Sequence, residues 1–246
     1  MMKKTVLPNG ARLVCEELPH TRSVAFGVWV GTGSRCEREQ LSGVSHFIEH
    51  MLFKGTEKRS ARQIAEELDA VGGQLNAFTG REATCYYARV LAEDAPVAVD
   101  VLTDMFFHSV FAPEEMEKEK QVILEEIKMC EDAPDDLVMD LFTENLWQGH
   151  ALGRSILGRA SALSGLTRAD ITGYMHSHYT PERVVIAVAG NIRAGELAEK
   201  FAPFAALSRP PAPPRPRPPA AAAVPRQYAQ EIAEHNKVVG GAALDR

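Results

Sequence analysis

The sequence predicts an α/β (α+β) fold, and three observations point to it. A run over residues 24–31 alternates apolar with small side chains, which is the two-residue period of a strand, and residues 74–79 and 84–90 are rich in strand-forming residue types. Longer segments between and after them repeat apolar residues every three or four positions, the period of a helix packed on one face. Clusters of Gly, Pro and Asn separate the two kinds of segment. With 246 residues, 45% of them hydrophobic, the chain can bury a sizeable core in one large domain or two small ones.

Taken in order, residues 5–7 and 11–16 flank Pro8-Asn9-Gly10, whose residue types suit a tight turn between paired strands. Residues 24–31 place Val24, Phe26, Val28 and Val30 on one face and Trp29 with small residues on the other. Gly31-Thr32-Gly33-Ser34 ends that strand, and a polar loop over 35–41 leads to a helix within 42–55, capped by Ser42 and stopped by Gly55. Ser60 with Gln63 three residues on reads as a capping box for a helix whose inner face is Ile64, Leu68 and Val71. A hairpin over 74–79 and 84–90 follows, turning at Gly80-Arg81-Glu82. Asp94 then caps a helix to about His108, with Val97, Val101, Leu102, Met105 and Phe106 inward and His108 structural.

Pro113, Glu114 and Glu115 suit the first turn of a long helix reaching about Glu131. Its apolar stripe of Met116, Ile123, Ile127 and Cys130 also carries Glu119 and Glu126, while Lys120, Glu125 and Lys128 fall at its edge or on the polar side. A carboxylate facing a core costs several kcal/mol unless it is paired or metal-bound. Either these two acids have such a partner or they are exposed at the edge of the stripe. Helices over 135–147 and 167–178, the latter with Thr167 and Asp170 as its cap, enclose a glycine-punctuated loop at 149–158. Residues 183–189 are a continuous apolar run, hence a buried strand, and a helix from Ala194 to about Phe204 closes the domain. Eight of the fifteen prolines lie between Ser208 and Arg226, as expected of an extended spacer. The expected organisation is a domain at 1–208, a proline-rich linker at 209–226, and at 227–246 a tail too short to fold alone, the start of a second half.

A net charge of -6 argues against a nucleic-acid partner. The four cysteines are widely spaced with no C-x-x-C, and Pro8-Asn9-Gly10 interrupts any apolar leader, so the chain reads as a reduced, cytoplasmic protein of bacterial type with no membrane segment.

The stretch with most chemistry is His46-Phe47-Ile48-Glu49-His50. On a helix His46, Glu49, His50 and Phe53 share one face, and Val44, Phe47, Ile48 and Met51 make an apolar one. Two imidazoles one turn apart can address one ion, and the intervening glutamate sits where it can hold a water next to that ion. Two histidines on a helix face are more often ordinary surface or core residues, so a third ligand is required before this pattern means a metal.

The chain resembles the inverzincin zinc metallopeptidases, the family of pitrilysin, insulin-degrading enzyme and mitochondrial processing peptidase. H-x-x-E-H is that family's motif. Leu75-Asn76-Ala77-Phe78-Thr79-Gly80-Arg81-Glu82, the run from Lys120 to Ile127, Leu152-Gly153-Arg154-Ser155-Ile156-Leu157-Gly158 and Tyr179-Thr180-Pro181-Glu182-Arg183 continue the resemblance over most of residues 1–208. The resemblance implies a mixed, mostly antiparallel sheet packed with helices, as in the N-terminal half of a two-half clamshell. It implies one Zn2+ held by His46, His50 and Glu126. Glu126 lies on the inward stripe, whereas Glu125 is turned about 100° away. Glu49 is then the general base. Glu119, the other acid assigned to the catalytic apparatus, is an outer partner of the zinc ligands. Asn76 and Ala77 lie on a strand that binds the peptide backbone as an added strand.

Three readings follow. The first is a zinc endopeptidase of extended or unfolded peptides, completed by a second half, a homodimer or a partner subunit. The second is a non-catalytic zinc-binding scaffold or assembly subunit, and the third a metal-dependent hydrolase of small molecules. The complete ligand set favours the first. The resemblance also implies an Arg and a Tyr from the second half, for which residues 227–246 offer no substitute.

Overall fold

A computed structural model of the chain describes residues 2–193, 195, 200–208, 210, 213 and 214. Among them a single mixed sheet runs in the order β1-β2-β6-β3-β5-β4. β1 (Met2–Val6) and β2 (Arg12–Glu17) pair antiparallel across the expected turn, where Gly10 takes φ 94° and the Asn9 side chain accepts from the Ala11 amide. β3 (Ser23–Val30) pairs antiparallel with β5 (Thr84–Leu91), which pairs antiparallel with β4 (Gln74–Thr79). β6 (Val184–Gly190), the continuous apolar run, is inserted between β2 and β3, parallel to the first and antiparallel to the second. The sheet is therefore mixed and mostly antiparallel, as the resemblance implies.

One sheet face is covered by helices, and the alternation explains which. Val24, Phe26, Val28 and Val30 of β3, Tyr86, Ala88 and Val90 of β5, and Ile186 and Val188 of β6 are buried, whereas Trp29, Phe78 and Tyr87 point to the open face. The covering helices are α1 (Val44–Leu52), α2 (Ala61–Asp69), α3 (Ala95–His108), α4 (Pro113–Asp132), α5 (Pro134–Leu146), α6 (Ala160–Gly165), α7 (Arg168–His178) and the short α8 (Ala202–Ala205). The capping boxes at Ser60/Gln63 and Thr167/Asp170 are formed as read from the sequence, and β4 meets β5 in the expected hairpin register, Thr79 opposite Thr84. α3 packs on β5, and α1 packs against both α4 and β4. No described helix is long and apolar enough to cross a membrane.

Several local expectations differ. Val97 is exposed and Ala98 and Val99 are buried in its place, while Val101, Leu102, Met105 and Phe106 keep the expected inner face, so Val97 stands just beyond its edge. Asp94 sits at the cap position of α3 without making a side-chain cap bond. Lys120, placed at the stripe's edge, is buried, its ammonium reaching Glu117 Oε1 at 2.8 Å and the Ser164 carbonyl at 3.4 Å. α6, too short to show a period, was not anticipated. The helix expected from Ala194 lies partly, and the linker and tail almost wholly, outside the described residues.

Candidate metal centre

α1 positions the H-x-x-E-H residues by burying its other face: Val44, Phe47, Ile48, Met51 and Leu52 are all fully enclosed. Burying such side chains stabilises by about 1.5–3 kcal/mol each, which holds the helix rotation and so the direction of His46, Glu49 and His50. The helix begins differently from the expectation. Ser42 makes no cap, and its hydroxyl is buried with no hydrogen-bond partner among the described residues. Gly43 turns into the helix at φ 94°, and the cap is the carboxylate of Glu37, which accepts the Gly43 amide at 2.7 Å and the Ser45 amide at 2.9 Å. Gly55 has the expected positive φ, but the helix already ends at Leu52, with Phe53 as its C-cap.

α4 crosses α1 and presents both of its stripe acids to it. His46 Nε2 lies 3.8 Å and His50 Nε2 3.7 Å from Glu126 Oε2, and one ligand atom from each residue falls within 4.8 Å of the other two. These separations are too long for hydrogen bonds and close to the spacing of ligands around one ion: a tetrahedral site with bonds near 2.1 Å sets its ligand atoms about 3.4 Å apart. The two imidazoles and one carboxylate fit zinc by chemistry and by geometry. Exposure rises across the set, from 12% for the His46 side chain to 18% for His50 and 36% for Glu126, so the triangle opens on the Glu126 side. Burial, reinforced by the neighbouring His50, pushes the His46 pKa down to about 4. It is therefore neutral near pH 7, the form in which a histidine ligates.

Around the triangle stand the supporting groups. Glu119, almost fully buried, meets His50 Nδ1 at 3.0 Å and Lys54 Nζ at 2.6 Å. A proton on His50 Nδ1 directed at Glu119 leaves the Nε2 lone pair facing Glu126. Glu119 touches His50 and neither of the other two members of the triangle, which is where a residue that orients the His50 ring would stand. Glu49 projects beside His46, and its Oε2 accepts from the Thr79 hydroxyl. Burial raises the Glu49 pKa, against the lowering effects of Thr79 and His50 and with a further rise from Glu126.

His46 and Glu49, with Thr79, open on a cleft of about 420 Å³ lined also by Ala77, Asp136 and Ile156, among others. β4 is an edge strand of the sheet, and Asn76 and Ala77 lie on it, the Asn76 side chain accepting the Ala77 amide at 2.8 Å. The 149–158 loop forms the opposite wall, tied by Arg81 to the Leu152 carbonyl and by Arg154 to the Glu37 carbonyl. Larger hollows, about 650 Å³ beside α7 and about 590 Å³ on the open sheet face, gather no comparable ligand set among the described residues. Sequence reading missed Thr79, Lys54 and Glu37. Thr79 stands inside the Leu75 to Glu82 motif and Lys54 one turn after His50, but the partnership of Glu37 with α1 has no local signature.

The profile described as Insulinase (Peptidase family M16) matches residues 12–160, which include the whole triangle. The chain belongs to peptidase family M16. A second M16 profile, Peptidase M16 inactive domain, matches residues 165–239. Relatives in the family include the Bacillus subtilis protein named "Uncharacterized zinc protease YmxG", 56% identical over 192 residues that make up 78% of this chain and 47% of that one. The "Probable mitochondrial-processing peptidase subunit beta" of Arabidopsis thaliana is 41% identical over 80% of this chain and 37% of its own length. The chain thus spans about half the length of the curated relatives it matches or less. Among solved structures, a protease from Helicobacter pylori superposes with a TM-score of 0.82 at 22% identity, covering 89% of this chain and 53% of that one, which bears on the fold alone.

Proposed function

We propose that this chain is the zinc-binding part of a metalloendopeptidase that hydrolyses extended or unfolded peptides and works with a second half, a second copy or a partner subunit. The observation that carries the reading is the convergence of His46, His50 and Glu126 within 4.8 Å beside a carboxylate, Glu49, that makes no part of the triangle. The names of the relatives as zinc proteases support it. The chain would be residues 1–208 of such a half, followed by its linker.

In this reading His46 Nε2, His50 Nε2 and Glu126 Oε2 hold one Zn2+. Bound there, zinc supplies a Lewis acid that brings the pKa of water down to about 7 and supports negative charge on a carbonyl oxygen. The chain's own residues do the rest. An extended peptide adds to the free edge of β4, where Asn76 and Ala77 engage its backbone and hold the scissile carbonyl across the cleft. Thr79 keeps Glu49 Oε2 fixed, and Glu49 Oε1 takes a proton as water adds to the carbonyl carbon. The same carboxyl returns the proton to the amide nitrogen as the C–N bond breaks, leaving a carboxylic acid and an amine that part in water as carboxylate and ammonium. A pKa raised by burial suits a group that must both take and give a proton near neutrality. Glu119 holds the His50 tautomer throughout.

Metal content and cleavage test this together. Purified protein is expected to carry about one equivalent of zinc, and His50→Ala and Glu126→Gln to reduce it to near none. Glu49→Gln retains zinc and, assayed on a quenched peptide with the missing half supplied, loses cleavage. Zinc-free wild type, or cleavage that survives Glu49→Gln, overturns the assignment.

A further inference from the structure

Glu37 is buried to 4% exposure, carries no part of the proposed chemistry, and lies on a polar loop where sequence reading saw only a connection. Three features of its surroundings are unusual for such a residue. Its two carboxylate oxygens separately accept the amides of Gly43 and Ser45, two of the N–H groups that a helix start leaves without intrahelical partners. Ser45, immediately before His46, is itself held from the other side: its hydroxyl lies 3.1 Å from the Tyr174 hydroxyl, which lies 3.0 Å from that of Thr32. The Glu37 carbonyl accepts Arg154 Nη1 at 2.9 Å, from the loop whose next three residues line the cleft.

A carboxylate this deep costs several kcal/mol to bury unless its hydrogen bonds compensate. A Ser at position 42 offers the same helix a local cap at far lower cost, yet its hydroxyl goes unused. What the distant acid provides and a local cap does not is a fixed relation between the first turn of α1 and the 149–158 wall, through its carboxylate on the Gly43 and Ser45 amides and its carbonyl on Arg154. The steric packing agrees. A Cβ on Gly43 would stand 2.7 Å from the Leu157 carbonyl, and one on Gly158 2.5 Å from Gly43 Cα, so helix start and wall touch backbone to backbone. His46 is the ligand nearest this junction. Metal sites tolerate about 0.2 Å in ligand distance, so a small pivot of the first turn moves His46 Nε2 out of register with Glu126 on α4, while His50, one turn on, is held by Glu119.

We infer that Glu37 is a positioning residue for the metal centre: by clamping the Gly43 and Ser45 amides to the cleft wall, it sets His46 against Glu126. This rests on the zinc reading above, and the experiment separates the two. Zinc affinity is measured by chelator competition, and the visible spectrum of the Co2+-loaded protein reports the coordination geometry, both for wild type, Glu37→Asp and Glu37→Gln, with circular dichroism as the check of folding. Asp keeps the charge but is one methylene too short to reach both amides; Gln offers one acceptor and turns a donor toward the other amide. The expected order of affinity is wild type, Glu37→Asp, Glu37→Gln, spanning about 10- to 100-fold, with the cobalt bands of the folded Gln variant shifted or weakened at saturating metal. A cap that served stability alone would lower Tm and leave both metal readouts unchanged. Folded variants with wild-type affinity and spectrum overturn the inference, as does failure of both variants to fold, which makes Glu37 a folding residue. A wild type that binds neither metal overturns the zinc reading instead.

Discussion

Removing the acceptor that Glu119 offers to His50 should weaken metal binding without touching the ligand triangle. Glu119 makes two charge-assisted contacts, 3.0 Å to His50 Nδ1 and 2.6 Å to Lys54 Nζ, and hydrogen bonds to charged groups contribute about 1.5–3 kcal/mol. In Glu119→Gln, whichever way the amide sits, its NH2 faces one of those two donors. If it faces His50, the proton moves to Nε2 and meets Glu126, blocking ligation. If it faces Lys54, whose side chain is 30% exposed, the ammonium swings into solvent at little cost and His50 keeps a weaker, neutral acceptor. The second arrangement is the cheaper, so the expected loss is about 10-fold in zinc affinity, or about 1.4 kcal/mol. Glu119→Leu, which removes both acceptors, approaches 100-fold. Lys54→Met is the control: it leaves the carboxylate entirely to His50, and affinity holds or rises. Chelator competition at fixed pH measures all three. Zinc affinity of Glu119→Leu within twofold of wild type would refute the tautomer argument.

Thr79→Val removes the donor to Glu49 Oε2 and should lower kcat about 10-fold, with zinc content unchanged and activity restored by Thr79→Ser; an unchanged kcat assigns Thr79 no part in holding the base. Gly158 combines φ +86° with backbone atoms of Ser42 and Gly43 at 2.5 Å from any added Cβ, so Gly158→Ala should cost about 3 kcal/mol and lower Tm by on the order of 10 °C. Calorimetry showing no shift would mean that the wall does not rest on the helix start. Burial pushes the Glu37 pKa from 4.5 up to about 7. The folded state then binds its proton more tightly than the unfolded one, so this group's stabilisation is complete below pH 4.5 and is lost as pH rises to 7, about 3 kcal/mol in all. His46, pushed down to about 4 from 6.5, has the opposite slope over much of that range, losing stability as pH falls. Denaturant midpoints of metal-free wild type minus those of Glu37→Gln isolate the first term; a difference that is flat from pH 4.5 to 7 contradicts it.

Much of this molecule is legible from local sequence because the forces that form its elements are local. Period-two alternation marks β3, residue composition around Gly80 marks the β4–β5 hairpin, and the Ser60 and Thr167 caps are visible because a capping box joins residues only three apart. Ser42 misled for the same reason. It has the right residue type in the right place, but Glu37 outcompetes it through a fold-over of six to eight residues that no helix rule anticipates. Lys120 and Val97 were misplaced because a helical period gives the face and not its width or its neighbours. The short α6 offers too few residues for a period to emerge.

Read alone, the residues place a set of chemical groups on definite helix faces: two histidines and a glutamate along one side of α1, and two acids on an apolar stripe of α4. Which of those acids completes the triangle is implied by family resemblance and not by periodicity, since a stripe cannot say what it faces. The tertiary structure decided the distances. Packing of α1 on α4 brings Glu126 to 3.8 and 3.7 Å from the two imidazoles and Glu119 onto His50, and the hairpin lays Thr79 on Glu49. Each of those contacts joins residues far apart in the chain, so it depends on the buried faces of several elements at once, and only the assembled core supplies that information.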